Sequence, residues 1–207
     1  VGLDPDYRLI PEGEDMLAFT TGIVDATHDL ALAYKLNPAF FVRGGRILQG
    51  LQALRDTLGY IHEIAADIPV IYDGKFGGAI QSENHGCVDL AFEWMAADAV
   101  TVNGYVGSEA LQPFLECAAR GIFVLCHTSD PGAHEFQDLP MGRQGTPFFL
   151  HIALQVAEEW NKNSNCGLVV NANRRLGDMY INELAWVREV APEIPLLIPG
   201  NGAQGGD

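Results

Sequence analysis

The sequence predicts an α/β fold with a parallel sheet, closed as a (β/α)8 TIM barrel whose eighth strand is missing from these 207 residues. Three observations predict it. Short apolar, β-rich runs alternate with helical patterns from end to end, the signature of parallel strands joined by crossover helices. Run after run ends on a polar or special residue: Asp4, Lys35, Asp73, Thr101, Ser129, Asn171 and Gly200. In an open sheet of seven strands the edges would lie roughly 29 Å apart at about 4.8 Å per step, too far for those groups to share a ligand. In a barrel they converge on one mouth, where such folds place their active sites.

The elements follow in order. Val1-Gly2-Leu3 leads into Asp4-Pro5, and a helical pattern over 15–33 counts Leu17, Ile23, Leu30 and Leu32 among its apolar positions. Ala33 to Leu36 is a short strand stopped by Asn37-Pro38. Ile47, Leu48, Leu51, Leu54, Leu58 and Ile61 mark one face of a second helix. Strand 69–72 runs into Asp73, a helix covers 90–95, and strand 99–102 follows. Helix 108–119 starts at a capping Ser108 and is followed by Gly121. Strand 122–126, a long polar loop over 128–145, and a helix over 147–160 with Pro147 in its first turn come next. Strand 167–170, helix 182–190 and strand 196–198 complete the list. No linker or low-complexity segment interrupts it. The expectation is a single domain over 1–207, cut short before an eighth strand.

Composition narrows the function classes. Apolar residues make up 48% and charged residues 19%, enough for a sizeable core and too apolar for a disordered chain. A formal charge of −15 argues against a broad grip on nucleic acid and against a helix lying on anionic lipid. No apolar run reaches the length of a membrane span. Cys87, Cys117, Cys126 and Cys166 form no C-x-x-C pair and are read as reduced thiols of a cytoplasmic protein, Cys126 as a small core residue.

Asp73-Gly74-Lys75 is the densest chemical signal. On an extended chain residues two apart point the same way, and an Asp beside a Lys favours the ionised form of each. Lys35 ends the neighbouring strand, giving the order Lys, Asp, Lys. Such an array suits a reaction in which one negative group leaves while another negative charge develops. A structural ion pair on a barrel rim is the alternative reading.

At this point the sequence resembles the orotidine 5′-phosphate decarboxylase family along nearly its whole length. The resemblance is carried by VGLDP at 1–5, AYKLNPAFF at 33–41, DGK at 73–75, ADAVTVNGYVGSEALQPFL at 97–115, FVLCHTSDPGAHEFQDL at 123–139, WNKNSNCGLVV at 160–170 and LLIPGNGAQGGD at 196–207. The stretch from Trp160 is most similar to the branch found in fused UMP synthases. The resemblance implies a homodimeric barrel with shared sites that converts orotidine monophosphate to UMP and CO2 without metal or organic cofactor. It implies that Asp4 binds the ribose, that Lys35 holds the array together and reaches a ribose hydroxyl, and that Asp73 sits near the substrate carboxylate. Lys75 would stabilise the C6 carbanion and then protonate it. Ser129 would read the pyrimidine edge, and Thr101 would help build the shared dimer site. Pro199, Gly202 and Gln204 would belong to a glycine-rich loop that closes over phosphate.

The sequence also departs from that family. The pattern D-x-K-x-x-D reads here Asp73, Gly74, Lys75, Phe76, Gly77, Gly78, so the last Asp is replaced by Gly78 and a usual Arg by Phe76. Gly104 replaces a usual Pro, Asp130 an Asn, Asn171 a Gly and Asn201 an apolar residue, and the strand-eight segment with its phosphate-gripping Arg is absent. The loss at 78 leads to the expectation of a large drop in rate. It gives the rival reading of an impaired member that binds a nucleoside monophosphate, in which Gly78→Asp would recover rate. A second rival is a related barrel acting on a sugar phosphate with Mg²⁺. His127, Asp130, His134, Glu135 and Asp138 crowd one loop but match no closed zinc spacing. His28, His85 and His151 read as packed or surface residues, and Arg174-Arg175 as surface.

Overall fold

The computed structural model describes residues 1–172, 174–176 and 179–200. Its principal sheet has seven strands that follow one another in chain order. They are β1 (Gly2–Leu3), β2 (Tyr34–Leu36), β3 (Val70–Phe76), β4 (Ala99–Asn103), β5 (Gly121–His127), β8 (Cys166–Val170) and β11 (Leu196–Leu197). Two short antiparallel hairpins stand apart from it: β6 (Pro140–Met141) with β7 (Thr146–Pro147), and β9 (Arg174–Leu176) with β10 (Met179–Ile181). Strands in chain order with helices between them are the topology expected of a (β/α) barrel.

The chain divides into two compact units, Val1–Gly74 with His85–Val100, and Lys75–Asn84 with Thr101–Asp207. In the first, β1, β2 and β3 pair in parallel, with Lys35 opposite Gly2 and Ile71. Helix α1 (Met16–Thr27) is capped by Asp15, whose carboxylate accepts the Ala18 N–H, one of the donors a helix start leaves without a partner. It packs on α3 (Ile47–Ile64). Val24, Leu54, Leu58 and Ile61 are buried, each such side chain contributing about 1.5–3 kcal/mol of burial. Between them the Thr20 and Thr57 hydroxyls meet at 2.7 Å, so two buried polar groups satisfy one another. Helix α2 (Pro38–Phe41) approaches α3 so closely that a Cβ on Gly50 would overlap the Phe41 carbonyl oxygen.

Three sequence expectations are corrected in this unit. The first helix ends at Thr27 rather than at 33, and Leu30 and Leu32 lie beyond it, exposed. Those two leucines extend an apolar count while their side chains stay exposed among the described residues. The third strand runs on from Tyr72 to Phe76, so Asp73 lies within it. The helix expected over 90–95 is the π-helical turn Asp89–Trp94 that continues α4 (Gln81–Val88).

In the second unit β5, β8 and β11 pair in parallel. Val124, Cys126, Leu168 and Val170 are buried beneath α6 (Phe148–Gln155) and its π-helical continuation Val156–Trp160. Helix α5 (Gly107–Leu115) ends four residues before the expected 119, and Phe76 stacks on its Phe114 at 5.8 Å. Helix α7 (Glu183–Val190) is capped by Asn182. The loop expected over 128–145 holds a 3-10 turn at Pro131–Glu135 and the first strand of the β6–β7 hairpin.

Candidate active site

Asp4 follows β1, Lys35 lies within β2 and Asp73 within β3, and the three side chains meet. The Lys35 ammonium lies 3.2 Å from Oδ1 of Asp4 and 3.2 Å from Oδ2 of Asp73. Asp73 is 8% exposed, Lys35 17% and Asp4 39%. Parallel register places the three there, since β2 pairs on one side with β1 and on the other with β3. A buried carboxylate held by a cation that a second carboxylate also holds is a fixed charge array. Burial makes its field stronger than it would be in water.

Lys75 follows two residues after Asp73 on β3, and there the extended-chain argument fails. Its φ is +48°, in the left-handed region that a side chain with a Cβ rarely adopts. Its peptide N–H donates to Oγ1 of Thr101 at 2.9 Å. Thr101 is fully buried on β4, so this hydroxyl fixes the backbone from which the Lys75 side chain departs. A side chain held on strained backbone is a recurring feature of functional sites.

Gly78 is packed against Glu83. A Cβ at position 78 would stand 2.7 Å from the Glu83 Cβ and 2.7 Å from its Oε2. Buried Asn84 accepts the Gly78 N–H at 2.9 Å, and its own amide donates to the Gly78 carbonyl at 3.0 Å and to the Ala110 carbonyl at 2.7 Å. The backbone here is therefore built around glycine, with the Glu83 carboxylate in the space beside it. No sequence signal singled out Asn84, because a buried asparagine in a polar run looks like any surface residue.

Ser129 is exposed just beyond β5. Pro199 accepts the Ala172 N–H through its carbonyl at 3.0 Å. Gly202 and Gln204 lie outside the described residues. Asn171 is buried and its N–H donates to the His127 carbonyl. His127 pairs with Asp138 at 2.9 Å, and among the described residues no three His, Cys, Asp or Glu side chains cluster as a metal ion would require. Gln137, unnoticed in the sequence, bonds Thr128 through both ends of its amide. Cys126 and Cys166 are buried thiols. Among the described residues no helix is long and apolar enough to cross a membrane.

Residues 1–207 match the family described as Orotidine 5′-phosphate decarboxylase / HUMPS family. The chain is 45% identical to the orotidine 5′-phosphate decarboxylase of Thermomicrobium roseum, over its full length and 71% of that protein. It is 43% identical to that of Halorubrum lacusprofundi, covering 70% of it. Among solved structures it is similar to Leishmania donovani OMP decarboxylase, with a TM-score of 0.82 and 33% identity over 96% of this chain and 73% of that one. It is also similar to Leishmania donovani UMP synthase, with a TM-score of 0.87 and 35% identity over the whole chain, which spans 42% of that protein. The barrel class expected from the sequence stands with these relatives. The rival reading of an impaired nucleotide-binding member receives no support from them.

Proposed function

The chain belongs to the orotidine 5′-phosphate decarboxylase / HUMPS family, and from that premise we propose that Lys35, Asp73 and Lys75 carry out a metal-free decarboxylation of orotidine 5′-phosphate. Decarboxylation, a carboxy-lyase reaction of UMP biosynthesis, is the activity its relatives are named for. The observation that supports this assignment of residues is the Lys35 ammonium shared between Asp4 and buried Asp73, two residues before Lys75.

The bond from C6 to the carboxylate carbon breaks and CO2 leaves. Its electron pair stays on C6 in an sp² orbital with no conjugated sink. A cation fixed at C6 gains strength as that charge develops, which lowers the barrier without tightening ground-state binding. Lys75 is that cation. Its Nζ then gives a proton to C6, forming UMP, and is reprotonated by water. Asp73, kept ionised by Lys35, lies against the substrate carboxylate, so departure of CO2 relieves a repulsion. Asp4 and Lys35 hold the ribose hydroxyls, Ser129 reads the pyrimidine, Thr101 contributes to a site shared between two copies, and Pro199, Gly202 and Gln204 close on the phosphate. The working form is a cytoplasmic homodimer over a single barrel domain, as the resemblance to this family implies, with no nucleic-acid or membrane partner.

The test is to follow loss of orotidine 5′-phosphate absorbance with purified protein, with and without EDTA, and to weigh the particle by light scattering. Turnover to UMP untouched by EDTA and abolished by Lys75→Ala supports the assignment. Turnover that needs a divalent ion, or that survives Lys75→Ala, overturns it.

A further inference from the structure

The end of β5 holds a set of bonds that the decarboxylation chemistry does not use. Leu125 faces Val169 on β8 while His127 faces Val170, so β5 carries an extra residue at Cys126. Strict alternation would leave His127 on the half-buried side with Phe123 and Leu125. The bulge turns it inward, and Cys126 and His127 are both buried. Bulges re-aim a side chain in this way, often beside active sites.

His127 is fully buried and meets Phe149 edge-to-face, with centroids 4.8 Å apart. Its Nε2 lies 2.9 Å from Oδ1 of Asp138. An ionised carboxylate only accepts, so Nε2 carries the proton. Nδ1 meets no hydrogen-bond partner among the described residues. A buried orphan nitrogen is a cost that leucine or phenylalanine at this position would avoid, so stability does not explain the histidine. The next residue, Thr128, is gripped by Gln137: its N–H donates to Oε1 at 2.8 Å, and the Gln137 amide donates to Oγ1 at 2.9 Å. Gln137 is itself anchored to α6, its carbonyl accepting the Phe149 N–H at 2.9 Å. Two consecutive residues at the strand end are thus tied to two consecutive residues at the far end of the loop. Ser129 is the first residue past that tie.

We propose that His127 and Gln137 are positioning residues that fix where Ser129 leaves β5, and through it set recognition of the pyrimidine ring. This rests on the assignment of Ser129 as the pyrimidine contact. An exposed serine on an untethered loop would lose its hydrogen bond to the ordering entropy of that loop.

The experiment titrates UMP and ribose 5-phosphate, which lacks the base, into the protein and into His127→Leu, Gln137→Ala, Gln137→Glu and Ser129→Ala. The unfolding midpoint of each is measured beside it. Expected for His127→Leu and Gln137→Ala is a loss of about tenfold in UMP affinity, with ribose 5-phosphate affinity and the midpoint of His127→Leu undiminished. Gln137→Glu retains UMP affinity, because the Thr128 hydroxyl can donate to its second oxygen. Unchanged UMP affinity in both His127→Leu and Gln137→Ala, beside a loss in Ser129→Ala, overturns the positioning role alone. No loss in Ser129→Ala overturns the Ser129 assignment and this role with it. Equal loss of both ligands marks a merely structural role and overturns the proposal; should His127→Leu not fold, Gln137→Ala, on the loop, carries the same comparison.

Discussion

The ammonium of Lys35 lies 3.2 Å from Oδ2 of Asp73 and 3.2 Å from Oδ1 of Asp4, so one cation bridges a buried carboxylate and an exposed one. The two contacts differ in what they contribute. A buried carboxylate has lost most of its hydration and depends on its counter-charge, whereas an exposed one keeps its water.

Replacing Lys35 by Met keeps the volume and removes the charge. The expected loss is about 3 kcal/mol of stability, because the Asp73 carboxylate stays buried without that cation. Asp4→Asn is expected to cost less than about 1 kcal/mol. Urea unfolding midpoints of the two variants test this ordering. Equal small losses would show that Asp73 is held by other groups. Asp73→Asn should lower kcat by at least about a hundredfold with a small effect on stability, read from the decarboxylation rate.

At Lys75 strain and chemistry pull in opposite directions. Its φ of +48° costs any residue with a Cβ about 1 kcal/mol or more. Lys75→Gly and Lys75→Ala lose the same ammonium, so their difference isolates the backbone. The glycine variant should be more stable than the alanine variant by about 1 kcal/mol, while both fall in rate by about a hundredfold or more. Equal stabilities would mean the left-handed conformation relaxes in the variants.

Much of this site was legible in the sequence because polar residues interrupt short apolar runs. Asp4 and Asp73 each follow such a run and Lys35 stands inside one, and parallel strands in chain order bring those positions side by side. What the sequence could not show was conformation that breaks a period. Lys75 looked like the next same-side residue on a strand, and only its φ shows that the chain has left that geometry. His127 likewise follows a regular alternation until the bulge at Cys126 turns it inward. Leu30 and Leu32 illustrate the converse: apolar spacing is a local property, and burial needs a partner that spacing does not name.

Gly78 carries the sharpest correction. The motif comparison leads to the expectation that Gly78→Asp recovers rate. The structure opposes it, since the new Cβ would stand 2.7 Å from the Glu83 Cβ, a distance packed atoms do not hold. Gly78→Asp is expected to lower the unfolding midpoint and to leave the rate no higher. Gly78→Asp combined with Glu83→Gly removes the obstructing Cβ and should regain most of the lost stability. Asn84→Ala should cost more than either, because three hydrogen bonds to Gly78 and Ala110 end on that one side chain. Thermal unfolding of the four proteins decides among these outcomes.

The buried thiols give the fold a limit on the alkaline side. Burial pushes the Cys126 thiol up to about 12 and the Cys166 thiol up to about 11, from an ordinary value of 9.0. Above pH 9 the unfolded chain loses these protons and the folded chain keeps them, so unfolding releases protons and stability falls as pH rises. The slope approaches about 1.4 kcal/mol per pH unit for each thiol. It ends for Cys166 near pH 11 and for Cys126 near pH 12, where the folded thiols ionise too. Below pH 9 both contributions are fully present and flat. Urea unfolding at pH 8, 9.5 and 10.5 should therefore show a steepening loss, and the Cys126→Ala, Cys166→Ala double variant should show a shallower one from a lower starting stability. An identical slope in the double variant would assign the alkaline loss to other groups, Tyr72 first among them, since burial raises its hydroxyl to about 12 as well.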